Sequence, residues 1–200
     1  MRKLIVFAIF IAVAQPHFKD PRAAGVQQKI DIIESGKAKP GSIFIFPVAD
    51  LNAWARAKLP TIVPEGVRDP RLELGNGTAT GYAAVNFLKV RHGQGIETGW
   101  FLSKLIDGEK PVKVNVQIES SRGRATVYLQ RVEISGLAVS GSTLDFLIDN
   151  FFKPLYPEAK INQPFELQDR LDRLEIQRAE ARAVLLEGKN ICELCALTIT

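Results

Sequence analysis

From Val112 to Glu119 the chain alternates without a break. Val112, Val114, Val116 and Ile118 are apolar, and Lys113, Asn115, Gln117 and Glu119 are polar. Successive side chains of a strand point to opposite faces, so a strand with one dry and one wet face accommodates this pattern. A turn is expected over residues 120–123, after which Ala125, Val127 and Leu129 resume the alternation. Val132 and Ile134 have the opposite parity, which predicts a bulge near Gln130-Arg131. An antiparallel sheet, wet on one side, is the frame into which the rest of the chain must fit.

Other segments supply further strands. Gly75-Asn76-Gly77 is a strong hairpin signal between Arg71–Leu74 and a long return predicted over residues 78–90, which Gly93 and Gly95 end. The apolar run over residues 42–48 reads as a short strand, and Pro47 assigns it to a sheet edge or a strand end. Leu171, Leu174 and Ile176, then Ala181, Ala183 and Leu185, predict a last hairpin turning near residues 177–180.

Three helices are expected. Asp20-Pro21 offers a capping carboxylate followed by a proline where a missing N–H does no harm. Val26, Ile30 and Ile33 then form an apolar stripe that Gly36 ends. Asp50 is placed to cap a short helix bearing Leu51, Trp54, Ala55 and Leu59, stopped by Pro60 and Pro64. Ser142 with Asp145 has capping-box spacing ahead of Leu144, Leu147, Ile148, Phe151, Phe152 and Leu155, and Pro154 and Pro157 end that segment. Short connections between strands make the sheet antiparallel and the class α+β.

Residues 1–14 are expected to be a signal peptide. Arg2-Lys3 is a positive start, Leu4–Ala14 is an apolar run, and Ala12-Val13-Ala14 supplies small residues for cleavage. Eleven residues of helix rise about 16 Å, half of what a spanning helix needs. Export to the periplasm or the extracellular space follows as the expectation. The domain plan is then 15–41 as lead and helix, 42–186 as the α+β body and 187–200 as a tail. The formal charge of +4 falls to about +2 once Arg2 and Lys3 are removed, too little for a basic nucleic-acid-binding surface.

No residue set commits the chain to catalysis. His17 and His92, the only histidines, have no metal partner at helical or hairpin spacing. The glycines Gly75, Gly77 and Gly81 lack the dinucleotide spacing and precede a strand, whereas phosphate cradling of that kind uses a helix N-terminus. Asp145 and Asp149 share a polar face on which Lys153 is an ordinary ion-pair partner. Cys192 and Cys195, in a C-x-x-C pair, are read as an incidental tail or a local disulfide, with redox chemistry as the alternative. Lys89, Arg91, Arg122 and Arg124 lack interleaved aromatic platforms for single strands of nucleic acid. Neither catalytic residues, a metal nor a cofactor is expected.

Phe146 is the informative residue. It falls nearly opposite the apolar stripe of its helix, so a helix laid on a flat sheet would leave it in water. A second layer, a wrapping sheet or an apolar ligand would cover it. The apolar stretch Trp100–Ile106 adds candidate cover. The expected ligand-lining residues are Trp100, Phe101, Leu105, Leu144, Phe146, Leu147, Ile148, Phe151 and Phe152.

Several short strings carry a family likeness: Pro40-Gly41-Ser42, Ala49-Asp50-Leu51-Asn52-Ala53-Trp54 before Leu59-Pro60, Asn86, Lys110-Pro111-Val112-Lys113-Val114, the helix region 136–155 and Pro164-Phe165-Glu166-Leu167. In this order of elements, residues 25–186 resemble the small exported bacterial phospholipid-binding proteins related to the tubular lipid-binding (BPI-like) fold. The resemblance implies a strongly curved antiparallel sheet wrapped around a long amphipathic helix, with an apolar groove and no catalytic residues. The expected function is an exported, non-catalytic binding protein for a lipid or other apolar ligand of the cell envelope. The alternative is a ligand-free envelope interaction module. Transient contact with a membrane surface is a further expectation.

Overall fold

The computed structural model describes residues 18–62, 66–87, 89, 108–153 and 160–187. These form an α+β structure with two antiparallel sheets. The smaller sheet has the order β1-β9-β8, from Ile43–Pro47, Glu180–Leu185 and Leu171–Ile176. The larger has the order β2-β3-β4-β5-β6, from Val67–Leu74, Thr78–Asn86, Glu109–Ser121, Arg124–Ile134 and Leu137–Val139. A short strand β7, Pro164–Glu166, pairs with the far end of β5.

The small sheet carries the better-buried core. Helix α1, Pro21–Glu34, starts as its sequence demands: the Asp20 carboxylate accepts from the Arg22 amide at 2.9 Å. Val26 and Ile33 of α1 pack with Phe46, Ala183 and Leu185, and partly buried Phe44, Leu171 and Leu174 extend the cluster. Gln27 is only 8% exposed, yet its polar atoms are satisfied. Its amide donates to Asp31 at 2.8 Å and its oxygen accepts from Trp54 Nε1 at 2.9 Å, tying α1 to helix α2, Val48–Ile62. Helix α2 continues through Pro60 instead of stopping there, and Asp50 lies in its first turn, not before it.

In the large sheet the hydrophobic pattern fixes the register. Asn115 pairs with Arg131 and Val116 with Leu129, so Gln130 is the extra residue and the expected bulge lies on it. The β4–β5 and β5–β6 turns use Arg122-Gly123 and Ser135-Gly136, with φ of 51°, 73°, 52° and 80°. Positive φ at both central residues matches the strand twist, and glycine adopts it without steric cost.

Side chains and hairpin tips close most sheet edges. Asn52 of α2 donates to Leu72 O and accepts from Leu72 N, at 2.8 and 2.7 Å, so one amide imitates a neighbouring strand on β2. Asn162 acts similarly on β5: its side chain accepts from Leu129 N and its own N–H donates to Val127 O. The Ser120 hydroxyl both donates to and accepts from the Leu174 backbone, and the amides of Gly77 and Gly123 donate to Ile176 and Asp172 on the same β8 edge. The two sheets therefore meet where the tips of two hairpins cap β8. On β1, Lys29 Nζ occupies Ile45 O at 2.7 Å and Pro47 lacks an N–H.

The expected long helix sheathed by a curved sheet is absent among the described residues. Helix α3 spans only Gly141–Leu147 and passes into a π-helical turn, Ile148–Phe152, and the sheets are not strongly curled. Its N-cap is Ser140, with no side-chain hydrogen bond, so the Ser142/Asp145 capping box is absent. In the π turn Lys153 N donates to Ile148 O, five residues back, while the Asn150 side chain takes Phe146 O. Widening the turn rotates the following residues off the stripe that uniform helical spacing predicts. Phe152 accordingly lies 36% exposed.

Candidate functional site

One face of the large sheet is apolar across five strands. Cross-strand rows run Ala83–Val112–Ile134, Gly81–Val114–Val132 and Ala79–Val116–Leu129, with Ile118 opposite Val127 beyond them. Directly opposed residues of an antiparallel pair share a face. Leu72 and Leu74 of β2 extend this face at one side, and Leu137 and Val139 of β6 at the other. Its coverage is uneven. At one end Phe87 is buried among Val67, Val85, Val112, Ile134, Phe146 and Leu147. At the other end Ala125 is buried. Between them Ala79 and Val132 are buried, whereas Val114, Val116, Ile118, Val127 and Leu129 are half-buried and belong to neither cluster of the described residues. Leu137, on the same face at the β6 edge, is 74% exposed.

The expected ligand-lining residues divide into three groups. Phe146 and Leu147 are brought together against Phe87, so the cover that Phe146 requires is the end of the sheet itself. Leu144 and Ile148 are half-buried, and Phe152 is exposed; Phe151 lies in the π turn. Trp100, Phe101 and Leu105 lie outside the described residues, as do the expected leader, His17, His92, Cys192 and Cys195.

The opposite face of the same strands was not singled out by sequence reasoning as a site. There the rows are Glu73–Thr80–Asn115–Arg131 and Arg71–Tyr82–Lys113–Glu133. A recess of about 190 Å³ opens among Thr80, Tyr82, Lys113, Asn115, Arg131 and Glu133. Arg131 Nε meets one Glu133 oxygen at 2.5 Å, and Lys113 Nζ lies 3.9 Å from the other. Asn115 donates to the Thr80 hydroxyl at 2.8 Å. Tyr82 donates to Glu73 at 2.8 Å, which raises the phenol's pKa, and Arg71 lies 4.2 Å from the Tyr82 ring centre. The available signal was the wet half of the alternation, legible as a group only once the partner residues across strands are known.

The acidic candidates do not assemble into acid–base machinery. Asp149 pairs with Lys153 at 2.7 Å, both well exposed, and Asp145 is exposed. A different carboxylate pair is electrostatically coupled. Burial pushes Glu34 above its usual range, helped by the charges of Asp169 and Asp31, and burial also raises Asp169. Arg170, next to Asp169, donates to Gly36 O and Ala38 O, fastening this corner to the end of α1. Among the described residues no group of three metal-ligating side chains occurs, and no helix is long and apolar enough to cross a membrane.

The described residues define an α+β protein of two antiparallel sheets with an apolar face only partly covered. Comparison with known protein families, with curated proteins and with solved structures gives no match.

Proposed function

We propose that the chain is an exported, non-catalytic protein that binds a lipid or another apolar molecule of the cell envelope. The observation that carries this reading is the half-buried part of the apolar face, Val114, Val116, Ile118, Val127 and Leu129, beside buried Ala79 and Val132. Apolar surface left partly in water is a standing gain for a ligand that covers it, about 25 cal/mol per Å². The short helix α3 leaves that part outside its own cluster, which supports an occupant lying along the strands beside Phe146 and Leu147. Export rests on the leader pattern of residues 1–14 and the resemblance on the quoted strings. Transient contact with a membrane surface would serve loading, with exposed Leu137 and Phe152 as contact residues.

A neutral apolar fluorophore, N-phenyl-1-naphthylamine, tests the reading on the purified chain. Saturable emission enhancement is expected, with affinity reduced at least tenfold by Val116→Lys, since burying an unpaired ammonium costs far more than the roughly 1.4 kcal/mol a tenfold loss needs. Leu129→Ala keeps the face apolar and retains part of the enhancement. Absence of saturable enhancement in the parent chain contradicts the proposal and favours the ligand-free interaction module.

A further inference from the structure

We infer that the recess on the wet face of β3, β4 and β5 is an oxyanion-binding site whose preferred occupant is a phosphate group. The side chains come from three adjacent strands in register, and the bulge at Gln130 shapes the third. Bulges are a recurrent means of re-aiming a side chain beside a site. Glu133 is the organising residue. Its side chain is 18% exposed, against 42% for Lys113 and 60% for Arg131, and each of its oxygens faces one of those cations. Arg131 uses only Nε in that pair, so its two terminal nitrogens have no hydrogen-bond partner among the described residues. At 3.9 Å from Glu133, Lys113 Nζ is too distant for a hydrogen bond to it.

Two cations against one carboxylate leave a local charge of about +1. Beyond them the Arg71–Glu73 pair, at 2.6 Å, is neutral in sum and closes the side of the recess through Tyr82. The Thr80 hydroxyl accepts from Asn115, so its own proton is available to a ligand. The free donors are therefore one guanidinium edge, one ammonium and one hydroxyl. A carboxylate is matched by the guanidinium fork alone, whereas the several oxygens of a phosphate use all three. A volume of about 190 Å³ also leaves room for the group the phosphate esterifies. The same chemistry is offered by a free phosphomonoester and by a phospholipid headgroup. The site lies on the face opposite the proposed apolar site and does not depend on it.

The experiment titrates the full, ¹⁵N-labelled chain with inorganic phosphate at low ionic strength, following the Arg131 Nε–H and Asn115 side-chain resonances. Saturable shifts are expected there, with affinity falling as salt rises. Lys113→Gln and Arg131→Gln are each expected to weaken binding by about two- to fivefold, the range of exposed charge pairs, and together by about four- to 25-fold. Both positions are exposed enough for the fold to persist, which amide dispersion checks. Lys113→Arg restores binding, and Arg173→Gln in the small sheet leaves it unchanged. A parallel arm sediments the chain with phosphatidylglycerol vesicles and with phosphatidylcholine vesicles. Pelleting with the former that needs Lys113 and Arg131, without any response to inorganic phosphate, assigns the site to a headgroup. Acetate binding as tightly as phosphate overturns the preference for phosphate. A silent titration with no pelleting, or shifts of unchanged affinity in the double variant, overturns the site.

Discussion

Asn52 shows how a single side chain can do the work of a strand. Its amide supplies one donor and one acceptor to Leu72, the pair of bonds a neighbouring backbone would make. Asn52→Ala leaves both backbone groups without their partner in a part-buried place, at a cost of about 1–3 kcal/mol in chemical denaturation. A loss below about 0.5 kcal/mol would mean that water replaces the amide without penalty. Glu34 acts in the opposite sense. Because its folded pKa is raised, chiefly by burial and then by Asp169 and Asp31, the folded state holds the proton more tightly than the unfolded chain. Its contribution to stability is complete below the unfolded value of about 4.3 and is lost as pH rises through the folded value. Glu34→Gln is therefore expected to raise the thermal midpoint at pH 7, by less than the roughly 2–4 °C that 1 kcal/mol gives a domain of this size. The difference from the parent vanishes near about pH 4. A lower midpoint for the variant at pH 7 would contradict that sign.

Among the elements, the large sheet was the most legible. Alternation along β4 and the parity slip in β5 located the bulge, because a one-residue change of phase is visible in any strand with one dry face. The register makes a sharp prediction. Deleting Gln130 leaves Leu129 opposite Val116 and Arg131 opposite Asn115, so the strand becomes regular and the chain should fold with a modest shift in midpoint. Deleting Val114 throws one side of β4 onto the wrong face and should abolish cooperative unfolding. Circular-dichroism melts of the two deletions separate them, and equal damage from both would refute the register. Helix α3 was the least legible element. Its sequence carries a stripe for a longer uniform helix, but the π turn at Ile148–Phe152 changes the phase midway. Periodicity assumes a constant twist and cannot register that change. The short strands β6 and β7 were missed for a related reason, since three residues are too few to establish a period.

At the scale of the whole molecule, the division into two sheets could not be read from local patterns. It depends on β1 pairing with β9, from opposite ends of the chain, and on the Ser120, Gly77 and Gly123 contacts that stop β8 from joining the large sheet as a further strand. Of the apolar face, only the covered end was legible. Phe146 and Leu147 do belong to one apolar cluster, but Phe146 meets the end of the sheet there, and the half-buried surface lies farther along the strands. That displacement gives the two faces separate proposed roles, apolar on one side and anionic on the other. The proposed binding function is tested most directly by native mass spectrometry of the full chain purified from its own host without detergent. Adducts of lipid mass that Val116→Lys removes while the fold persists are the expected result. A clean mass of the chain alone, from parent and variant alike, would contradict a lipid-binding role.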